Sequence, residues 1–454
     1  MAERKPNVLF IPVDDLRPQL ACYGQEHMIT PNIDRLADRG MLFARPYCQA
    51  PVCGATRASL LTGVRPTRER FVDYKTWVDQ DLPGALTLPE HFRRHGYVTL
   101  SVGKVFHHRM DTAERSWPEP PWRPDQDSAG SWRNYQLAPN QALDEDPDHR
   151  GPPFECADVP DDAYFDGRIA DRAIADLRRL ADADRPFFLA AGFIKPHLPF
   201  NAPRKYWDYY KPGDIRPADN PFAPDAAPAE ALHNWGELRA YFDVPAEGPV
   251  PDEMAHRLVH GYYAATSYTD AQVGRLLDEL DRLGLGDNTI IVLWGDHGWQ
   301  LGEHGLWCKH CNFNTSLWAP LIVSASQGRD GGRCNELVEF VDVYPTLCDL
   351  AGLPLPDHLE GASFAPLLDD PTRPWKQAVF SRYRSGDSVR TDRYLYTEWT
   401  DAEDTLTARM LYDHQCDPAE NRNIAERPDA ADLVADLSRI LRTGWQGDAV
   451  WPAP

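Results

Sequence analysis

Four short, largely apolar runs, each stopping at ionisable residues, constrain this chain more than any other feature. Val8-Leu-Phe-Ile11 leads to Asp14-Asp15, and Tyr97-Val-Thr-Leu-Ser-Val102 leads to Gly103-Lys104. Phe187-Phe-Leu-Ala-Ala191 leads to Lys195-Pro-His197, and Thr289-Ile-Ile-Val-Leu-Trp294 to Gly295-Asp-His297. Such runs read as buried strands. Between the third and fourth, Val273, Leu276, Leu277 and Leu280 fall on one helical face, so the chain reads as α/β. In open α/β sheets, ligands bind outside the carboxyl ends of the strands. Asp, His and Lys at four such ends therefore point to one shared site.

A chain of 454 residues can bury one large domain and a smaller one. The texture changes after Pro366, where Val389 to Tyr396 alternates like a strand and a Leu-bearing helix follows over about Ala430 to Leu441. The expected division is a catalytic domain over 1–365 and a smaller α+β subdomain over 366–454, packed on it. Stretches 117–161 and 211–251 are rich in turn residues and read as loop. The 41 prolines imply long, ordered loops, which is where catalytic residues tend to sit.

A net charge of -22 argues against nucleic acid as a partner. Total charge describes only the far field, so a local cationic pocket is compatible with it. The start, Met1-Ala-Glu-Arg-Lys-Pro-Asn7, runs straight into the first strand with no apolar leader. No stretch approaches the ~20 apolar residues of a membrane span. Nine scattered cysteines do not form a disulfide framework. The expectation is a cytoplasmic protein with reduced thiols and no membrane partner.

Adjacent carboxylates such as Asp14 and Asp15 repel unless a cation or strong donors compensate. They read either as a turn with a helix cap or as half of a hard-metal site. Asp296 and His297 read as a polar loop pair or as the other half. Three carboxylates and one imidazole are harder than a typical zinc set, which favours calcium, with magnesium or manganese next. Cys53 precedes a probable helix with Arg57 one turn on, a setting that would lower its thiol pKa; the alternative is an ordinary buried cysteine. Lys104 with His107 or His108 and Lys195 with His197 add cations and titratable groups at the same strand ends, and Lys309 adds a cation downstream of Asp296. Cys308 and Cys311 lack a second pair and read as structural.

These segments resemble the type I, formylglycine-dependent sulfatases, and within them the iduronate-2-sulfatase branch. The family signature C-x-P-S-R with L-T-G reads here Cys53-Gly-Ala-Thr-Arg57 and Leu61-Thr-Gly63, with Ala55 and Thr56 in place of proline and serine. Val13 to Pro18 with Cys22 to Gly24, Ser101 to His107, Lys195 to Phe200, Gly295 to Gly305 and Val389 to Tyr394 match as well. The resemblance implies an alkaline-phosphatase-like fold: a large mixed sheet sandwiched by helices, with a smaller C-terminal α+β subdomain. It implies that a maturation enzyme converts Cys53 to formylglycine. Asp14, Asp15, Asp296 and His297 would hold a divalent cation together with residue 53. Arg57, Lys104 and His107 would position and activate the nucleophile. His197 and Lys309 would contact the sulfate, with His197 as a general acid near pH 7. The charge of -22 and the start without an apolar leader depart from the family members that act on long sulfated chains, and shift the expected substrate to a small sulfated sugar or other small sulfate ester. Two alternatives remain: a phosphonate monoester or phosphodiester hydrolase of the same superfamily, and an anion-binding protein in which Cys53 stays unconverted.

Overall fold

The computed structural model describes residues 5–126, 131–146, 150–183, 185–325 and 331–451. Seven strands make the main sheet: β1 (Asn7–Val13), β2 (Met41–Tyr47), β3 (Val98–Gly103), β4 (Phe187–Gly192), β5 (Thr289–Gly295), β6 (Leu321–Ser324) and β7 (Gly332–Glu339). Their spatial order is β7-β2-β6-β5-β1-β4-β3. β6 runs antiparallel to both neighbours and the other pairings are parallel. The sheet is therefore mixed, and the four strands read from sequence lie side by side as its parallel block.

β1 is buried along its whole length, and its alternation feeds two cores. Val8 and Phe10 pack on one face with Ala55, Ala58, Leu60 and Leu61 of the Cys53–Thr62 helix. Leu9, Ile11 and Val13 pack on the other face with Ile169, Ala173 and Leu177 of the Phe165–Ala181 helix. The apolar stripe at Val273, Leu276, Leu277 and Leu280 joins that second core from a helix spanning Asp252–Arg282. Each fully buried aliphatic or aromatic side chain contributes about 1.5–3 kcal/mol, so a sheet covered on both faces is a stiff base for its strand ends.

Four further strands, β8 (Ala378–Tyr383), β9 (Gly386–Thr391), β10 (Tyr394–Thr400) and β11 (Leu406–Asp413), form an antiparallel sheet in that order. Helix Ala431–Thr443 covers it through Val434 and Leu437. The stretch from Val389 to Tyr396 is thus two strands rather than one. It reverses at Asp392-Arg393, where Tyr394 N donates to Thr391 Oγ1 at 3.0 Å. Lys376 ties this region to the main sheet, donating to Glu339 and Asp342 at 2.7 Å, while Arg65 also donates to Glu339 at 2.6 Å.

The two stretches read as loop hold short elements. Helix Ala138–Asp144 and strand Phe154–Ala157 lie in the first, the strand pairing in parallel with Phe200–Pro203; residues 127–130 and 147–149 lie outside the described residues. One helical turn, Gly236–Arg239, lies in the second. These pieces are too short for a periodic signal and are fixed by contacts with distant chain. Among the described residues, no helix is long and apolar enough to cross a membrane.

Two glycines let β3 and β4 approach closely at the ends that carry Lys104 and Lys195. Gly103 has φ +74°, and a Cβ on Gly192 would lie 2.1 Å from Lys104 O. Gly192→Ala is therefore expected to cost about 1–3 kcal/mol, read as a lower urea midpoint at unchanged slope. An unchanged midpoint would mean that this contact relaxes freely.

Candidate active site

Asp14 and Asp15 follow β1, and Asp296 and His297 follow β5, its hydrogen-bonded neighbour. Successive residues of an extended chain point to opposite faces, but Asp15 has φ 60°. That left-handed residue, which Asp tolerates better than most, turns both carboxylates toward one point. Asp296 Oδ1 accepts from Asp15 N at 2.9 Å, and Tyr262 Oη donates to Asp15 O at 2.8 Å. All four side chains are fully buried.

Cys53 is the first residue of a helix closed by Gly63 at φ 67°. Thr56 Oγ1 donates to Asp296 O at 2.8 Å, and Arg57 Nε donates to Asp296 Oδ2 at 2.9 Å. Arg57 also donates to Asp14 Oδ1 at 3.1 Å and to Val105 O at 3.0 Å. The helix is thus docked by one guanidinium that bridges both strand ends, and Cys53 Sγ comes within 3.9 Å of Asp15 Oδ1 and 3.5 Å of His297 Nε2.

Lys104 Nζ pairs with Asp14 Oδ2. Lys309 Nζ donates to both oxygens of Asp15, at 3.1 and 3.2 Å. His197 Nδ1 bonds Leu198 O at 2.6 Å, which leaves Nε2 facing Asp15 at 3.8 Å. His107 lines the cavity above Cys53, whereas His108 stacks on Trp77 with ring centroids 4.5 Å apart. The inward imidazole is therefore His107. Cys308 and Cys311 are buried, and Cys311 Sγ lies 3.1 Å from Ser316 Oγ.

Charge in this cluster is unevenly matched. Burial pushes the Asp14 carboxyl up, but Lys104 and Arg57 outweigh it and hold it well below the usual carboxylate range. Burial lifts Asp15 well above that range against the pull of Lys309, with Cys53 and Asp14 adding to the rise. Asp15 thus lacks positive charge. His297 Nδ1 bonds Gly298 O at 2.9 Å, leaving Nε2 open toward Asp15 and Asp296 at 3.4 and 3.7 Å, the orientation a ligating imidazole takes. Donor atoms of Asp14, Asp15, Cys53 and His197 lie within 4.8 Å of one another, as do those of Cys53, Asp296 and His297. An oxygen-rich, charge-deficient set of this kind fits a hard divalent cation.

The expected low pKa of Cys53 is overturned. Burial pushes its thiol up to about 12, against the pull of Lys309 and Lys104. Arg57 gives it little help because both of its faces are taken by Asp14 and Asp296. The expectation for His197 changes too: burial and Lys309 bring it down to about 3, so it is a neutral imidazole at rest. Burial and Lys104 likewise keep His107 in its base form.

The cavity over Cys53 has a volume of about 640 Å³. Over most of the chain, residues 6–353, the sequence matches the family described as Sulfatase. The chain belongs to the sulfatase family. Residues 302–444 of this sulfatase match the family described as N-sulphoglucosamine sulphohydrolase, C-terminal. It is 33% identical to human (Homo sapiens) iduronate 2-sulfatase, over 94% of this chain and 92% of that protein. In fold it resembles a phosphonate monoester hydrolase from Silicibacter pomeroyi, with TM-score 0.77 and 23% identity over 96% and 94% of the two chains. It also resembles a protein solved with its substrate D-glucosamine-2-N,6-O-disulfate, with TM-score 0.75 and 23% identity over 97% of each chain. The architecture is the alkaline-phosphatase-like one of sulfatases, and the enzyme class is sulfuric ester hydrolase.

All ten site residues read from the sequence of this sulfatase converge here. The structure adds Glu237, Arg123, Trp132 and His310 to the cavity wall. Glu237 comes from the helical turn inside 211–251, and no motif marks it. His310 adjoins Lys309 and opens an irregular loop that runs to Asn314.

Removing Arg57 would strand two buried carboxylates. Arg57→Leu is expected to destabilise the fold by about 3–5 kcal/mol, measured by chemical unfolding. A loss below about 1 kcal/mol, the scale of an exposed pair, would show that Asp14 and Asp296 find other partners.

Proposed function

We propose that this sulfatase hydrolyses sulfate esters of small sugars through a formylglycine made from Cys53 by a separate maturation enzyme, with calcium as the resident cation. The observation that carries this reading is the position of Cys53: its Sγ lies among Asp15, His297 and the cluster of permanent cations. A thiol held at about 12 is a poor nucleophile near neutrality, which supports a role as a precursor. Human iduronate 2-sulfatase and the protein solved with D-glucosamine-2-N,6-O-disulfate support a sulfated sugar as substrate.

Asp14, Asp15, Asp296 and His297 would hold the cation, which when bound screens sulfate oxygens and makes sulfur a better electrophile. Formylglycine, once water has added to its aldehyde to give the hydrate, would supply the hydroxyl nucleophile beside it. Lys309 and Lys104, both ammonium groups held by buried carboxylates, would stabilise charge that grows on the sulfate oxygens. His107, neutral at rest, is placed to accept a proton from the residue 53 side. His197 offers a neutral Nε2, so the charged donor nearest the leaving oxygen would be Lys309. Arg57 would act by holding Asp14 and Asp296 in place.

After co-expression with a maturation enzyme, the peptide containing Cys53 should be about 18 Da lighter than the cysteine form, and the protein should turn over an aryl sulfate. Intact cysteine with no turnover would instead support an anion-binding protein. Faster turnover of an aryl phosphonate than of the sulfate, at saturating metal, would replace the sulfatase assignment of substrate.

Lys309→Ala should lower kcat by about 100-fold or more, with a fold unchanged by circular dichroism. Calcium added to chelator-treated protein should raise Tm in a concentration-dependent way, by about 2.7 kcal/mol of stability at a hundredfold excess over Kd. A Tm indifferent to calcium, magnesium and manganese alike would remove the cation from this scheme.

A further inference from the structure

Glu237 has no part in the hydrolysis outlined above, yet it touches the two groups that would receive the sulfate. Its carboxylate lies 2.8 Å from Lys309 Nζ and 3.3 Å from His197 Nε2, and its side chain is only 16% exposed. The turn Gly236–Arg239 delivers it inward, anchored by buried Leu238 and entered through Trp235 at φ 41°. A carboxylate buried beside three others is costly unless its charge is matched.

Around residue 53, four carboxylates (Asp14, Asp15, Asp296 and Glu237) are paired with three permanent cations, Arg57, Lys104 and Lys309. Arg123, Asp125 and Arg150 also line the cavity, and the Lys195 ammonium is turned to the carbonyls of His197 and Pro199. Glu237 therefore sets one negative charge directly against the two groups that would receive the ester. A sulfate monoester bears a single negative charge and meets that repulsion once. A phosphate monoester, whose second pKa is about 6, bears two at about pH 8 and is repelled about twice as strongly. Without Glu237 that penalty on the dianion is lifted.

We propose that Glu237 sets the charge of the ester this site accepts, admitting singly charged anions and rejecting doubly charged phosphate monoesters. The inference rests on the sulfate-ester reading and adds a specificity residue to it.

The test measures binding as well as turnover. In a Cys53→Ala background, which cannot mature, calcium-loaded protein is titrated calorimetrically at about pH 8 with 4-nitrophenyl sulfate, 4-nitrophenyl methylphosphonate and 4-nitrophenyl phosphate. The two singly charged esters should bind at least about tenfold tighter than the phosphate, given one unit of charge at contact distance in a buried site. Glu237→Gln should narrow that ratio by at least about tenfold, chiefly through tighter phosphate binding, while Glu237→Asp should keep it. Equal binding of methylphosphonate and phosphate without any change at 237 would overturn the proposal even if the Gln variant does not fold. So would a ratio that Gln leaves unchanged, or that Asp narrows as much as Gln does. Matured wild-type protein that turns over aryl sulfate while showing such charge-blind binding sinks only the role of Glu237. Absence of that turnover overturns the sulfate-ester reading and this proposal with it.

Discussion

Arg57 and the three carboxylates around it are the interaction on which the rest of the molecule depends. Asp14, Asp15 and Asp296 are withdrawn from water at the ends of two adjacent central strands, and Arg57, itself fully buried, bonds two of them. Buried charge is tolerated only where partners and geometry are good. That requirement dictates how the Cys53–Thr62 helix docks, because its guanidinium must reach both strand ends. It also dictates that the chain after β3 cross toward β1, bringing Lys104 to Asp14, and that Gly103 and Gly192 be small enough to let it.

The same imbalance shapes the chemistry. Cations around Asp14 are in surplus and those around Asp15 in deficit, so the open side of the cluster is the side that faces Cys53. A thiol there is held in its neutral form by burial. The surroundings are hostile to a thiolate and hospitable to a metal with a neutral hydroxyl nucleophile, which accords with the proposed conversion of Cys53. Nearby imidazoles are kept neutral for the same physical reason, leaving lysines as the charged donors.

The floor and the wall of the cavity have different origins. The floor is built from strand ends backed by two apolar cores, and its residues are fixed by sheet register. The wall comes from irregular chain, where Glu237, Trp132 and His310 are placed by isolated anchors such as Leu238. The residues proposed to react therefore sit on the stiff part, and the residue proposed to discriminate sits on the part that sequence can vary most cheaply.

Much of the floor was legible in the sequence. Apolar runs that stop at Asp, Lys or His announce parallel strands with a polar end, and the ten residues read from those ends, from the Cys53 segment and from Lys309 meet at one place. Spacing could not say which of His107 and His108 turns inward, since neighbouring residues differ only in which way a bend sends them. It misjudged the Cys53 thiol, because a cation one turn away on a helix counts for little once other carboxylates claim it. It read Val389 to Tyr396 as one strand because the reversal at Asp392-Arg393 carries no glycine or proline. The sequence by itself determined the α/β sheet and the ten candidate residues that the fold brings together, Asp14, Asp15 and Asp296 among them. Tertiary structure alone decided the charge state of each group and the arrival of Glu237, because burial and partners 38 to 239 residues apart in the chain set both.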